Sequence, residues 1–339
     1  MFWEVRISPP HSVALHGRKV RVPLLSGPTD RVRSTLFNIA WHARGLPDAD
    51  WRTHPCQSAE HRDDERLCDH WVVQLTPGLS ATTLENAAAR MGLILDGPHF
   101  QTQTSLLCPV TLNGQRAFLK ITNDHDELIG AKALEKWEGT GAVRILAQHE
   151  NAFVLEYAGQ TLRSVIPEDT AATKVLCSVA DQLHSRDPEN LDDFPTLRRW
   201  FSSLFADTDS QFDEIRVIAD RLLNRNSHPV LLHGDLHHDN VLRSSHRGWL
   251  AIDPKGIVGP REFDYCNIFT NPTPQVAVSH FDARVRSVSD TANIDPGDLL
   301  RWIACWGALS GIWHLEDGDT TQASLPHTIA TLAMERLQR

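Results

Sequence analysis

Residues 231–242 read LLHGDLHHDNVL, with three histidines and two aspartates inside seven positions between apolar flanks. Residue types like these serve either a metal site or a site that handles phosphate. His233, His237, His238 and Asp239 loosely follow the H-x-H-x-D-H pattern of dinuclear hydrolases. Asp235, however, stands where that pattern has its second histidine, and no later histidines form a comparable cluster. A plain polar loop that ends a strand gives no reason for the positions of Asn240 and Asp253. Phosphoryl transfer gives one. It needs a carboxylate to orient the attacking hydroxyl and take its proton, and oxygen ligands to hold Mg²⁺ against the phosphates. H-G-D-x-x-x-x-N supplies a carboxylate as Asp235 and a side-chain carbonyl five residues later as Asn240. Ile252-Asp253-Pro254-Lys255 follows an apolar strand and supplies a second carboxylate, eighteen residues past Asp235.

Catalytic loop, strand and metal-binding aspartate follow one another in this order in kinase folds, which also need a lysine on a strand of a first lobe. In RAFLKIT, Ala117, Leu119 and Ile121 alternate onto one face, so Lys120 faces the other way. A strand lysine is ordinarily a solvated edge residue. Its place just before a helix makes this one a candidate for the nucleotide phosphates, with Glu127 on that helix as its partner. The surrounding residues read as a small antiparallel sheet. Ser80 caps a short helix from Thr82 to Arg90. SLLCPVTLNGQRAFLKIT is two strands turning at Asn113-Gly114. The next helix is capped by Asn123 or Asp124 and ends before Gly139. VRILAQHENAFVLEYAG adds two strands around His149–Asn151. The helix at Glu127 is thus expected after the third strand of the sheet.

Past residue 158 the pattern is mainly helical. Leu176, Val179 and Leu183 mark a helix from about Thr170 to His184, a second starts near Thr196, and a third spans Gln211 to Leu223. Short β-like pieces at Val230–Leu232 and Trp249–Ile252 flank the opening motif. A last long helix starts at the N-cap and N1 pair Asp295-Pro296 and runs to Gly318. The fold class expected is α+β and bilobal like a protein kinase, with a small antiparallel-sheet N-lobe (71–157) and a mainly helical C-lobe (158–339). Residues 1–70, rich in Arg, His, Pro and Trp without sustained periodicity, are expected to be an extension of uncertain order. The charged stretch 55–69 reads as a linker or solvated helix, and deletion to residue 70 is expected to leave activity intact.

The longest mostly apolar window, Trp302 to Trp313, is too short to span a membrane, and the N-terminus has no apolar signal segment. Six scattered cysteines without a C-x-x-C pair suggest reduced thiols and a cytoplasmic protein. The 339-residue chain has a formal net charge of −10, and residues 1–70 carry ten Lys/Arg against nine Asp/Glu, so the acidity lies downstream. Such a body repels nucleic acid and anionic lipid and favours small cations. No nucleic-acid, membrane or protein partner is expected.

HGDLHHDNVL followed by WLAIDPKGIVGPREFDYCNIFTNP resembles the aminoglycoside phosphotransferase superfamily, in its streptomycin 6-kinase and hydroxyurea phosphotransferase branch. LEKWEGTGAVRIL, FVLEYAGQTL, TLRRWFSSLF and WGALSGIWHLEDG add to the resemblance, which runs from about residue 84 to the C-terminus. The resemblance implies Asp235 as catalytic base, Asn240 and Asp253 as Mg²⁺ ligands and Lys120 on the ATP phosphates. It also implies Leu155, Glu156 and Tyr157 as the adenine hinge, with His233 and Asp264 bracing the catalytic loop. Two positions depart from the family. Gly130 stands where the helix glutamate is usual, which leaves Glu127 to substitute. The nucleotide-covering loop DGPHFQTQTSLLCPV has a single glycine, and Ser105 is its candidate phosphate contact.

On the last helix, Trp302, Trp306 and Trp313 fall on roughly one face, and Trp302 and Trp306 read as core. Glu316 and Asp317 sit at the helix end, where the macrodipole disfavours anions, and are candidates to bind a cationic acceptor. The resemblance implies ATP- and Mg²⁺-dependent transfer of the γ-phosphoryl group to a hydroxyl of a small polar acceptor, streptomycin or a related aminoglycoside, or hydroxyurea. A metabolic small-molecule kinase and a regulatory nucleotide-binding pseudokinase are the alternatives.

Overall fold

The computed structural model describes residues 79–186, 189–225 and 228–339, together with the backbone of three short strands nearer the N-terminus. Those strands, β1 (Ile7–Ser8), β2 (Ser12–Leu15) and β3 (Arg18–Val20), form an antiparallel sheet in the order β1-β2-β3. The remainder of the 1–70 extension, with its charged stretch 55–69, lies outside the described residues.

The first described element of the larger unit is α1 (Ala81–Met91), one residue longer at each end than its pattern suggests. Ser80 and Thr83 cap it reciprocally, each hydroxyl accepting from the other's backbone N–H at 3.3 and 3.1 Å. A six-stranded antiparallel sheet follows: β4 (Ile94–Leu95), β5 (Phe100–Gln101), β6 (Ser105–Leu112), β7 (Gln115–Thr122), β8 (Ile145–His149) and β9 (Ala152–Glu156). Its order is β4-β6-β7-β9-β8, with β5 also on β6. Asn113 and Gly114 have φ of 52° and 80°, the two positive values that a tight hairpin turn requires. Ala117, Leu119 and Ile121 on β7 are buried with Leu84 and Ala88 of α1, which leaves Lys120 on the opposite face.

Helix α2 (His125–Trp137) follows the fourth strand of this sheet, not the third. The two-residue strands β4 and β5 account for the difference, being too short for alternation to reveal them. Asp124 is the N-cap and accepts from the N–H groups of Asp126 and Glu127, both at 3.0 Å. Ile129, Ala133, Leu134 and Trp137 of α2 join the hydrophobic core of the second lobe, so this helix ties the lobes together.

The second lobe runs through α3 (Leu162–Val165), α4 (Asp169–His184), α5 (Leu197–Trp200), α6 (Ser202–Ala206) and α7 (Asp213–Leu223). Four short strands come next: β10 (Val230–Leu232), β11 (Val241–Ser244), β12 (Gly248–Ala251) and β13 (Ile257–Gly259). A 3₁₀ segment (Arg261–Thr270) leads to α8 (Pro274–Ser279), α9 (Phe281–Ala292), α10 (Pro296–Glu316) and α11 (Thr320–Leu337).

Helix α10 is therefore not the last. The chain turns at Gly318 and α11 packs back along it. From Leu299 to Trp313 every α10 residue except Arg301 is buried. Trp302 meets Phe201 and Phe263 edge to face, and Trp306 and Trp313 meet each other at 5.8 Å, as core residues do. Among the described residues no helix is long and apolar enough to cross a membrane.

Candidate active site

Two small strand pairs build the site. Val241 pairs with Ala251 in β11–β12, so Asn240 and Asp253 leave the hairpin at the same end. The Ile252 N–H closes that end on the Asn240 carbonyl at 2.9 Å. Leu232 pairs with Ile257 in β10–β13, which sets His233, Gly234 and Asp235 beside Lys255 and Gly256. Gly234 has φ of 80°, and a Cβ there would lie 2.5 Å from Ile257 Cδ1, so the turn before Asp235 excludes other residues.

Asp264 braces this turn from below. Its carboxylate accepts from the N–H of His233 at 2.9 Å and of Gly234 at 2.7 Å, and it lies 2.8 Å from His184 Nε2. The His233 ring is fully buried with its Nε2 2.9 Å from the Ile252 carbonyl, and burial pushes its pKa down. Asp235 sits above, held on both sides. Asn267 donates to its Oδ1 at 3.3 Å, and Asn240 donates to its Oδ2 at 3.3 Å and to its backbone carbonyl at 2.9 Å. His237 Nε2 lies 3.7 Å from Oδ1.

Lys120 reaches across from the sheet to Asp253 at 2.8 Å and pairs with Glu127. Burial works against its ammonium, but the Asp253 and Glu127 carboxylates outweigh it and raise its pKa. Burial likewise opposes the Asp253 charge, and Lys120 and Lys255 overcome it to hold that carboxyl below its usual range. Asp253 occupies the left-handed region with φ of 59°, an uncommon conformation at a residue the site depends on.

Glu127 does pair with the strand lysine, and the structure shows why position 130 is glycine. A Cβ there would collide with the Pro254 carbonyl oxygen, because the Asp253-Pro254 loop lies directly against α2. The covering loop reaches Glu127 through Thr104, whose hydroxyl donates to it at 3.1 Å. Ser105 is instead buried at the start of β6, its N–H donating to Thr102 Oγ1 at 2.9 Å, and it does not line the cleft.

The cleft between the lobes, about 820 Å³ with its open mouth, has apolar walls from Phe118, Phe153, Leu155, Leu242 and Ile252. Lys120, Glu127 and Asp253 close one end, and Glu156 and Ala158 stand at the other. Tyr157 is not in the lining. Its ring stacks on Phe118 at 6.0 Å, under the Arg116 guanidinium. The Glu156 carboxylate is taken up by Arg247 and by the Arg144 N–H at 3.1 Å, anchoring the end of β9 to the β11–β12 turn. Glu316 ends α10, where it accepts from Ser203 Oγ at 3.2 Å, and Asp317 is the C-cap; both are exposed, and neither lines this cleft.

Asn267 and Lys255 escaped the sequence reading. Asn267 lies one helical turn past Asp264 in REFDYCNIF, the spacing that puts two side chains under one loop. Lys255 stood in the quoted Ile-Asp-Pro-Lys run as a flank only.

Among the described residues no three His, Cys, Asp or Glu side chains gather as a cage for a metal ion. The oxygen donors at the shared end of the β11–β12 hairpin are the Asp253 carboxylate and the Asn240 amide, whose nitrogen donates to Asp235. That donor set fits Mg²⁺, which takes one or two protein oxygens and completes its shell with phosphates and water.

Residues 90–318 match the family described as aminoglycoside/hydroxyurea antibiotic resistance kinase. Streptomycin 3''-kinase from Klebsiella pneumoniae is 36% identical over 260 residues, covering 73% of this chain and 98% of that protein. Hydroxyurea phosphotransferase from Kitasatospora aureofaciens is 28% identical, covering 78% and 80%. Streptomycin 6-kinase from Streptomyces griseus is 28% identical, covering 75% and 87%. Among solved structures, aminoglycoside phosphotransferase APH(4)-Ia superposes with a TM-score of 0.56 at 15% identity, over 76% of this chain and 99% of that one.

Proposed function

The chain belongs to the aminoglycoside/hydroxyurea antibiotic resistance kinase family, a family of small-molecule phosphotransferases, and from that premise we propose an ATP- and Mg²⁺-dependent kinase acting on streptomycin or a related aminoglycoside. The observation that carries this reading is that Lys120 meets Asp253 at one end of an apolar-walled cleft, while the hairpin end that Asp253 leaves also carries Asn240, hydrogen-bonded to Asp235. The apolar walls take the adenine, with the backbone of Leu155 and Glu156 as hinge. Lys120 binds the α/β-phosphates.

Mg²⁺ held by Asp253 and Asn240 would neutralise charge on the β- and γ-phosphates. Asp235 orients the acceptor hydroxyl and takes its proton as the oxygen bonds to the γ-phosphorus and the bond to the ADP oxygen breaks. Catalysis then rests on positioning and charge, with no covalent enzyme intermediate. The paired Lys120 and Glu127 and the complete carboxylate set favour an active kinase over a regulatory pseudokinase.

The similarity to the hydroxyurea phosphotransferase favours one second reading, hydroxyurea as acceptor. By name, the similar streptomycin kinases act at two different positions, 3'' and 6. Exposed Glu316 and Asp317 remain candidates to hold a guanidinium or ammonium group of the acceptor. ATP use supports a cytoplasmic setting, as do the free buried thiols of Cys108, Cys177, Cys266 and Cys305 among the described residues.

The test is an ATP-consumption assay with Mg²⁺ over a panel of aminoglycosides and hydroxyurea, run beside Asp235→Asn. Turnover with a streptomycin-type acceptor that disappears in the variant supports the reading. Activity that survives the substitution removes Asp235 as base.

A further inference from the structure

Lys255 lies between the catalytic turn and the Lys120–Glu127 pair. Its backbone lies behind the catalytic turn: its N–H donates to the His233 carbonyl at 2.7 Å, and its Cβ is 3.2 Å from where a Cβ on Gly234 would sit. Its ammonium ends on the far side, 3.8 Å from Glu127 Oε1. The side chain thus runs from the turn that carries Asp235 to the carboxylate that holds Lys120.

Among the described residues Lys255 Nζ makes no hydrogen bond, although the residue is only 7% exposed. An ammonium carries three donors and is strongly hydrated, so withdrawing most of the side chain from water with none of them used within the protein leaves room for a further acceptor. The Glu127, Asp253 and Asp235 carboxylates favour the Lys255 charge, yet none accepts a hydrogen bond from it: Glu127 is already engaged by Lys120 and by the Thr104 hydroxyl and stays at ion-pair distance from Lys255, 3.8 Å. A buried cation with unused donors, set between a proton acceptor and a phosphate-binding lysine, is suited to an oxyanion.

We propose that Lys255 is a second phosphate-binding cation, directed at the γ-phosphoryl group where Lys120 serves the α/β end. This rests on the phosphotransferase reading above and deepens it. As the γ-phosphorus leaves the ADP oxygen for the acceptor oxygen, its three equatorial oxygens keep their negative charge, and a fixed ammonium beside them stabilises the group in transit. The proton goes to Asp235. Lys255 stays protonated throughout and exchanges nothing.

The experiment compares the affinity of the full chain for ADP and for the non-hydrolysable triphosphate AMP-PNP by calorimetry, with and without Mg²⁺, in the wild type, Lys255→Met, Lys255→Arg and Lys120→Met. Lys255→Met is expected to leave ADP binding within about twofold and to weaken AMP-PNP about tenfold or more, the size of one lost charge-assisted hydrogen bond. Lys255→Arg recovers part of the difference, and Lys120→Met weakens both nucleotides. In turnover, kcat falls in Lys255→Met while the acceptor KM holds. Equal weakening of both nucleotides, or of neither, overturns the proposal. Should Lys255→Met fail to fold, Lys255→Gln against Lys255→Arg reads the same ratio. A wild type that binds neither nucleotide sinks the phosphotransferase reading itself; one that prefers the triphosphate while the variants keep that preference sinks the role of Lys255 alone.

Discussion

Asp235 works as a base only if its carboxylate stays aimed, and two amides aim it. Asn240 and Asn267 donate to its two oxygens at the same 3.3 Å. Asp235→Asn is expected to lower kcat by about 10²–10⁴, the usual range for a lost general base, with the melting temperature unchanged. Asn267→Ala removes one of the two donors without touching either substrate. It should lower kcat about tenfold and leave the KM for ATP in place. Asn267→Asp should do worse, because it sets a second carboxylate against Asp235. Steady-state kinetics on the two variants decide this, and an equal loss in both would mean that Asn267 only fills space. Asp235, Asn240 and Asp253 were legible in the sequence because one short run of chain carries all three at a fixed spacing. Asn267 was not, since its partner lies 32 residues away and only the folded loop brings them together.

At the scale of elements, the join between α2 and the Asp253 loop governs the site. Glycine inside a helix ordinarily weakens it, and on propensity alone Gly130→Ala would stabilise α2 by about 1 kcal/mol. Contact reverses the sign here, since the added Cβ meets the rigid backbone carbonyl of Pro254. Gly130→Ala is expected to destabilise by about 1–3 kcal/mol and to lower kcat by displacing Asp253. Chemical denaturation beside kinetics checks both, and a stabilised, fully active variant would show that the loop yields freely. The same contact explains what the sequence could not show about Glu127. Its pairing with Lys120 depends on how closely the second lobe approaches the helix, which no local pattern encodes. The hairpin at Asn113-Gly114 and helix α4 were readable because turn chemistry and apolar spacing are local. Helix α11 was not, since it begins after a glycine turn, contains Pro326 and packs mostly through alanines against a helix that is itself buried all round.

Across the whole molecule, acidity and buried histidines act on stability in different pH ranges. Asp253 has a carboxyl held below its ordinary value, so its contribution is present above that value and is lost only in strong acid. The histidines act sooner. Burial lowers the pKa of His327 on α11, with Asp209 and Asp207 partly offsetting it, and lowers that of His314 on α10, with Asp319 and Asp317 opposing. The unfolded chain therefore takes up protons at these positions before the folded one does. Stability should fall as pH drops below the ordinary histidine value of 6.5. The His327 ring packs against Phe212 at 5.2 Å with its Nε2 lacking a hydrogen-bond partner, so protonation there charges a site built for a neutral ring. His314→Gln/His327→Gln is expected to flatten the decline in melting temperature between pH 7 and pH 5 while changing little at pH 8, where both rings are neutral in either state. Melts across that range decide the matter: a double variant that keeps the wild-type slope would place the acid sensitivity elsewhere, with the more deeply buried His233 and His238 next in line because burial lowers their pKa values as well.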